Sequence, residues 1–355
     1  MATRTYLDED ISEIISSLGE VSKKLSNSTI LLTGASGFLG KYFIAVLAEI
    51  KKVYPEAKLR VIAIDNHTTS NKDDLVQSDI GDHVEWIYAD AKIASELPDK
   101  FDYIIHAAGI ASPQHYRARP LETIYVAVDV TRSLLERAKQ DNARFLFFSS
   151  SEIYGDPIAS EVPTNEVYRG NVASRGPRAC YDESKRLGEA LCWIYSENFG
   201  VHASVVRPFN VYGPGMMPTD YRVLPNFAWS VANEKEISVY GDGNQTRTFC
   251  YITDAIVGFL KVLVASEQPD VYNVGNPSPE ISINDLVTKI GQIIGIKPKL
   301  RHMDYPASYP ADEPMRRCPD VSKIQEELSY APKIDLDEGL KRFFKWSEEY
   351  YKRFK

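Results

Sequence analysis

Only four cysteines stand in this chain of 355 residues, and no two of them form a CxxC pair. Cys180, Cys192, Cys250 and Cys318 therefore suggest neither a disulfide framework nor a zinc site, and no metal is expected. They read as reduced thiols of a cytoplasmic protein. Positive charge is also in deficit: 41 Lys and Arg face 49 Asp and Glu, for a net charge of −8. Such a chain has no general pull on nucleic acid or on an anionic membrane, although a local basic pocket for a phosphate ligand is compatible with it. No apolar run approaches the about 18 residues needed to span a bilayer. Met1 to Asp10 is polar and acidic, unlike a secretory leader. Internal repeats and low-complexity tracts are missing too. What remains is ordinary globular usage, 44% hydrophobic and 25% charged. The length suits roughly two domains, or one large α/β unit with a smaller appendage.

Periodicity divides the chain. Residues 1–27 form an N-terminal helical arm, with Ile11, Ile14, Ile15, Leu18 and Val21 at helical spacing. It reads as a packing arm on the main domain or on a second subunit. From residue 29, short β-rich runs alternate with helical stripes. The strands are Thr29–Thr33, Leu59–Ile64, Val84–Tyr88, Tyr103–His106, Arg144–Phe148 and Ala203–Arg207. Several are apolar without alternation, as strands covered on both faces are. This rhythm predicts an α/β, Rossmann-like, doubly wound parallel sheet over residues 28–214. Beyond it, ten prolines from Pro218 to Pro319 (Pro306 and Pro310 among them) loosen the pattern. Residues 215–355 read as a smaller part that binds substrate, with some return to the first domain and with helices at Ile283–Ile294 and Leu336–Tyr350.

Gly34-Ala35-Ser36-Gly37-Phe38-Leu39-Gly40 follows the first strand and opens the first helix. Its glycines permit the tight turn and let backbone N–H groups approach a pyrophosphate at the helix N-terminus. Asp65 ends the second strand, 25 residues after Gly40. A carboxylate there accepts hydrogen bonds from both ribose hydroxyls of an adenosine and repels a 2′-phosphate, so NAD is favoured over NADP. Asp90, after the third strand, is a candidate contact to the adenine edge.

Tyr181 and Lys185 lie four residues apart at the start of the third helical stripe, on one helix face. An ammonium beside the phenol, with a nicotinamide cation near, lowers the tyrosine pKa toward the working range, so that it can take a proton from a sugar hydroxyl. Ser150-Ser151-Glu152 ends the preceding strand, and the carboxyl ends of parallel strands are where such sheets bind ligands.

With Thr33–Gly40, His106-Ala107-Ala108, Ser150–Gly155, Tyr181/Lys185, Arg207–Pro214, Gln245–Phe249 and Tyr272–Gly275, the chain resembles the extended short-chain dehydrogenase/reductase family. That family comprises the nucleotide-sugar epimerases, dehydratases and decarboxylases, and the resemblance runs from about residue 28 to the C-terminus. Gly176–Arg186, Tyr154–Pro157, Ala111–Pro113 and Glu313–Asp320 look most like the UDP-glucuronate decarboxylases within it. The resemblance implies a Ser150, Glu152, Tyr181 and Lys185 catalytic set. It implies an NAD site built from Gly34, Ser36, Gly37, Phe38, Leu39, Gly40, Asp65, Asn66, Asp90, Ala91, Ala107, Ala108 and Pro208, together with Tyr181 and Lys185. Ser112, Ser151, Arg178, Asn210, Arg247 and Arg317 are its implied contacts to a nucleotide sugar, a UDP-sugar being favoured. Dehydratases of the family carry Asp where this chain has Ser151, and simple 4-epimerases lack Glu152.

The chain also departs from the pattern. Val126–Thr131 replaces Thr-Asn-x-x-Gly-Thr, so the Asn and Gly are missing, and Tyr125 stands where the decarboxylases carry a Lys lining the active site. Arg117, Arg119 and Arg178 are the candidates to replace that cation. A 4-epimerase or a 4,6-dehydratase is the alternative outcome on the same fold, with a non-catalytic NAD-binding regulator behind both. A homodimer is expected as well. The helices Ile124–Lys139 and Tyr181–Asn198 carry Val126, Val130, Trp193 and Tyr195 beyond the stripe one sheet face needs, and pairing across a two-fold axis would bury them.

Overall fold

The structure, a computed structural model, describes residues 5–70, 81–304 and 314–354. Pro306, Pro310 and Glu313 lie outside the described residues. In chain order the helices are α1 (Asp8–Leu18), α2 (Glu20–Leu25), α3 (Phe38–Val53), α4 (Pro113–Ala118), α5 (Pro120–Tyr125), α6 (Thr131–Asp141), α7 (Ala179–Phe199), α8 (Val223–Ala232), α9 (Ile252–Ala265), α10 (Ile283–Ile294), α11 (Ser322–Leu328) and α12 (Leu336–Tyr350). The strands are β1 (Thr29–Thr33), β2 (Arg60–Asp65), β3 (Val84–Tyr88), β4 (Tyr103–His106), β5 (Arg144–Phe148), β6 (Ala203–Pro208), β7 (Val211–Tyr212), β8 (Ile237–Tyr240), β9 (Thr246–Arg247), β10 (Cys250–Tyr251), β11 (Val271–Val274), β12 (Ile281–Ser282), β13 (Leu300–Met303) and β14 (Arg316–Arg317).

Seven strands form one sheet in the order β3-β2-β1-β4-β5-β6-β11, every neighbouring pair parallel. The first three positions run outward from β1 and the next three run the other way, so the strand order reverses between β1 and β4. That reversal leaves a crevice at the carboxyl ends of the strands. The unbroken apolar runs are explained by burial on both faces: Ile30, Leu31 and Leu32 of β1 and Phe145, Leu146 and Phe147 of β5 are wholly inaccessible. The edge strand β11 comes from far along the chain, after α9, whose residues Ile252 to Leu260 are nearly all buried against the sheet.

The N-terminal arm is two helices, not one, because Gly19 turns the chain with φ 52°. It packs on its own protomer, with Ile11, Ile14, Leu18 and Leu25 in the same core as α3 and α9. Asp10 is fully buried in that contact. Its carboxylate accepts from the Tyr42 hydroxyl at 3.1 Å, from the Tyr251 hydroxyl at 3.1 Å and from the Arg342 guanidinium at 3.1 Å. The arm therefore joins α3, β10 and α12 through one side chain.

The helix expected over Ile124–Lys139 is interrupted as well. Between α5 and α6, Val126–Val130 winds as a π-helix, a local widening of the kind that recurs near functional sites. Val130 and Tyr195, read from the sequence as surplus apolar residues, are buried within the protomer; the Tyr195 hydroxyl donates to Glu136 at 2.5 Å. Trp193 alone of the four is strongly exposed, at 65%.

Candidate active site

The glycine loop lies over the crevice. Gly34 has φ +73°, and a Cβ there would stand 2.6 Å from the backbone nitrogen of Ala108, so no other residue fits. Gly37 precedes α3, and no side chain caps that helix start. Its first N–H groups are thus left for a ligand, and a negative group is the one a helix N-terminus prefers. The Ser36 hydroxyl is buried and has no hydrogen-bond partner among the described residues. An orphaned donor, a steric cradle and an uncapped helix start together fit a dinucleotide pyrophosphate. Asp65 supports the loop: its carboxylate accepts from Ser36 N–H at 2.9 Å and from His67 N–H at 2.7 Å.

Under the loop, Thr33 and His106 pair across β1 and β4. His106 Nε2 faces the Val126 carbonyl at 3.3 Å, so that nitrogen carries the proton and Nδ1 accepts from the Thr33 hydroxyl at 2.8 Å. Burial holds the imidazole neutral, its pKa pushed down to about 3. His106 thereby ties β1 and the π-helix to the Ala107-Ala108 turn.

The reacting groups come from β5 and α7. Ser150 sits just past β5, and its hydroxyl hydrogen-bonds the Tyr181 phenol. Tyr116 stacks on the Tyr181 ring, centroids 5.1 Å apart and nearly parallel. Lys185 Nζ donates to the Phe148 carbonyl at 2.7 Å and lies 5.8 Å from the Tyr181 ring centroid. Burial lowers the ammonium pKa to about 8. The phenol behaves differently from the expectation. Burial raises its pKa, and the Ser150 hydrogen bond only partly opposes this. The physical reason is that desolvation of an enclosed phenolate outweighs the Ser150 hydrogen bond and the Arg222 and Arg178 charges, while the Lys185 ammonium is turned to a backbone carbonyl.

Glu152 occupies the floor beside them. Arg317, on β14, holds it with two parallel hydrogen bonds, Nη1 to Oε1 at 2.6 Å and Nη2 to Oε2 at 2.7 Å. Arg178 also pairs with its Oε2, and Arg178 Nε reaches Asp182 Oδ2 at 3.3 Å. Bidentate guanidinium clamps of this kind fix direction as well as charge.

One cavity of about 360 Å³ takes in Gly34, Ser36, Gly37, Phe38, Leu39, Gly40, Ala107, Ser112, Ser150, Ser151, Glu152, Arg178, Tyr181, Lys185, Pro208, Asn210, Arg247 and Arg317. These are most of the residues expected from the sequence. Asp65, Asn66, Asp90, Ala91 and Ala108 stand outside its wall, at or near the strand ends that flank it. The cavity is basic within an acidic chain: Lys41, Arg178, Lys185, Arg222, Arg247 and Arg317 line it against Glu152 and Asp220. Ser112 turns its hydroxyl to the Asp220 carbonyl at 2.6 Å. Asn210 donates to the Thr248 carbonyl at 2.8 Å. Tyr125 does not line the cavity; its hydroxyl donates to Asp90 at 3.2 Å. Of the three cations weighed as substitutes for the missing Lys, Arg178 is in the cavity and Arg119 pairs with Glu122 on the surface. Tyr116, Asp220 and Arg222 escape sequence reasoning. Arg222 follows a proline-rich stretch with no recognisable spacing to the other groups, and the Tyr116 stack is visible only in three dimensions.

Residues 30–275 match the model of the NAD dependent epimerase/dehydratase family. The chain belongs to that family. It is an enzyme by that membership, and NAD is the family's cofactor, in agreement with the cradle above. UDP-glucuronic acid decarboxylase 1 of Arabidopsis thaliana is 38% identical over 313 residues, 88% of this chain and 68% of its own length. UDP-glucuronic acid decarboxylase 1 of Xenopus tropicalis is 34% identical, covering 95% of this chain and 80% of the relative. Among solved structures, UDP-glucuronic acid 4-epimerase from Bacillus cereus, in complex with UDP-glucuronic acid and NAD, superposes with a TM-score of 0.76 at 26% identity. That match covers 91% of this chain and all of the other.

Proposed function

We propose that this enzyme decarboxylates a UDP-uronic acid, converting UDP-glucuronate to UDP-xylose through a transient 4-keto sugar. The observation that carries the reading is Glu152 clamped by Arg317 and Arg178 next to Ser151, at the catalytic Tyr181. A 4,6-dehydratase needs an acid where Ser151 stands. A β-keto acid needs none, because its carboxylate leaves once the neighbouring ketone can accept the electrons. Identity with the decarboxylases over most of the chain supports the same choice.

The glycine loop and the start of α3 would hold the pyrophosphate of NAD, Asp65 its adenosine ribose, and Lys185 and Tyr181 its nicotinamide half. Bound there, NAD supplies acceptance and return of a hydride at C4 and a positive charge beside the phenol. The chain's own groups do the rest. Tyr181 takes the C4 hydroxyl proton. Ser150 and Tyr181 donate to the oxygen that becomes an enolate as carbon dioxide leaves. Glu152 directs the proton that replaces the carboxylate at C5. The basic wall of the cavity suits the pyrophosphate and the uronate.

The 4-epimerase reading rests on the Tyr125 and Ala127 departures from the decarboxylase pattern. Tyr125 donates to Asp90 outside the cavity wall, whereas Arg178, one of the candidate replacements for the decarboxylase Lys, lines it. Incubation with UDP-glucuronate and catalytic NAD, followed by mass analysis, separates the outcomes. Loss of carbon dioxide supports the proposal, loss of water indicates a dehydratase, and an unchanged mass with altered retention indicates an epimerase.

We also propose a cytoplasmic homodimer. The four cysteines are unpaired, which suits a reducing compartment. Leu121 on α5 and Leu187 and Trp193 on the adjacent α7 are apolar side chains left exposed, at 79%, 49% and 65%.

A further inference from the structure

Tyr221 is held in a backbone conformation that tyrosine rarely adopts, with φ 62° and ψ 6°. Two other non-glycine residues with positive φ, Asn142 and Ser329, close the C-termini of α6 and α11. Tyr221 caps only a single turn, Pro218–Asp220. A bulky side chain in the left-handed region persists only where its surroundings enforce it, and such positions cluster at ligand clamps.

The surroundings here do enforce it. Ser112 donates to the Asp220 carbonyl at 2.6 Å, pinning the residue before Tyr221 to the loop after β4. Arg222, the residue after it, is joined to the Asp220 carboxylate, Nη2 to Oδ2 at 2.7 Å. Upstream, the Tyr351 hydroxyl donates to the Met216 carbonyl at 2.8 Å. Nothing in these contacts needs the Tyr221 side chain itself. Tyr221 is 53% exposed, yet it is among the residues that line the cavity. Arg222 lines the same cavity as Tyr181, and each influences the other's ionisation.

We infer that Tyr221 is a substrate-specificity residue whose ring closes over the sugar of a bound nucleotide sugar, apolar C–H face against aromatic face. This rests on the nucleotide-sugar reading of the site. The ring supplies a rigid apolar surface with a polar tip, and the pinned loop presents it without ordering on binding. Glycine would relieve the backbone and remove the ring together.

The test is calorimetric titration of the NAD-loaded wild type, Tyr221→Gly and Tyr221→Phe with UDP-glucuronate and with UDP, alongside thermal melts. Tyr221→Gly should lose roughly tenfold in affinity for UDP-glucuronate with its affinity for UDP unchanged. It should melt at or above the wild-type temperature, because glycine accepts this φ without strain. Tyr221→Phe should bind as the wild type does. Equal losses for UDP and UDP-glucuronate would overturn the sugar contact, and so would no loss for either. A lower melting temperature for Tyr221→Gly would make the residue structural. A wild type that binds neither compound would instead sink the nucleotide-sugar reading, and this inference with it.

Discussion

Arg317 and Glu152, 165 residues apart in the chain, meet in a two-pronged ion pair at 2.6 and 2.7 Å. β14 lies in a small sheet with β9 and β12, so this pair fastens the C-terminal part of the molecule to the carboxyl end of β5. The Arg317 side chain is only 8% exposed, and a buried guanidinium that loses its carboxylate is costly to leave alone.

Glu152→Gln should therefore lower turnover by roughly 10²–10⁴, the usual scale for a positioned acid–base group. Arg317→Lys should lower it too, because an ammonium cannot form the fork. Product formation from UDP-glucuronate is the measurement. A Glu152→Gln variant near the wild-type rate would remove Glu152 from the chemistry.

Tyr181→Phe should abolish most turnover, again by about 10²–10⁴, while NAD still binds. The phenylalanine ring keeps the stack on Tyr116, so the melting temperature should hardly move. Titration with NAD, set against NADP, checks the retained site and the preference for NAD expected from Asp65.

The alkaline limb of kcat/KM should fall near pH 8. Burial lowers the Lys185 pKa to about 8, so the free enzyme loses that charge as pH rises through it. Stability runs the other way. Between about 8 and the ordinary 10.5 the unfolded chain holds this proton and the folded enzyme does not, so the Lys185 contribution to stability rises with pH across that window. Lys185→Arg should move the limb upward. A limb that stays in place would assign it to another group.

Light scattering at micromolar concentration should give a particle of twice the chain mass. Trp193→Asp should yield a monomer, because it puts a charge at the most exposed apolar side chain of α7. A monomeric wild type would refute the proposed dimer.

The sheet was readable because its strands are short apolar runs between helical stripes, and five of the six expected strands begin at the predicted residue. The glycine loop and the Tyr181/Lys185 pair were readable because each is local: one turn, one helix face. Contacts made at long range were not. Nothing in the sequence joins Tyr116 to Tyr181 or Ser112 to Asp220. The break at Gly19 and the π-helix at Val126–Val130 were missed for a related reason, since apolar spacing is nearly the same on either side of a one-residue irregularity. The sign of the Tyr181 shift needed burial, which spacing does not report.

Gly215 lies so close to the N-terminal arm that a Cβ there would come within 2.5 Å of the Thr5 carbonyl, and Gly215 and Met216 are cavity wall. Asp10, five residues on, anchors the arm to α3 and α12. Substitutions around Thr5 to Asp10 should accordingly surface in a screen for altered sugar affinity, although they touch no ligand.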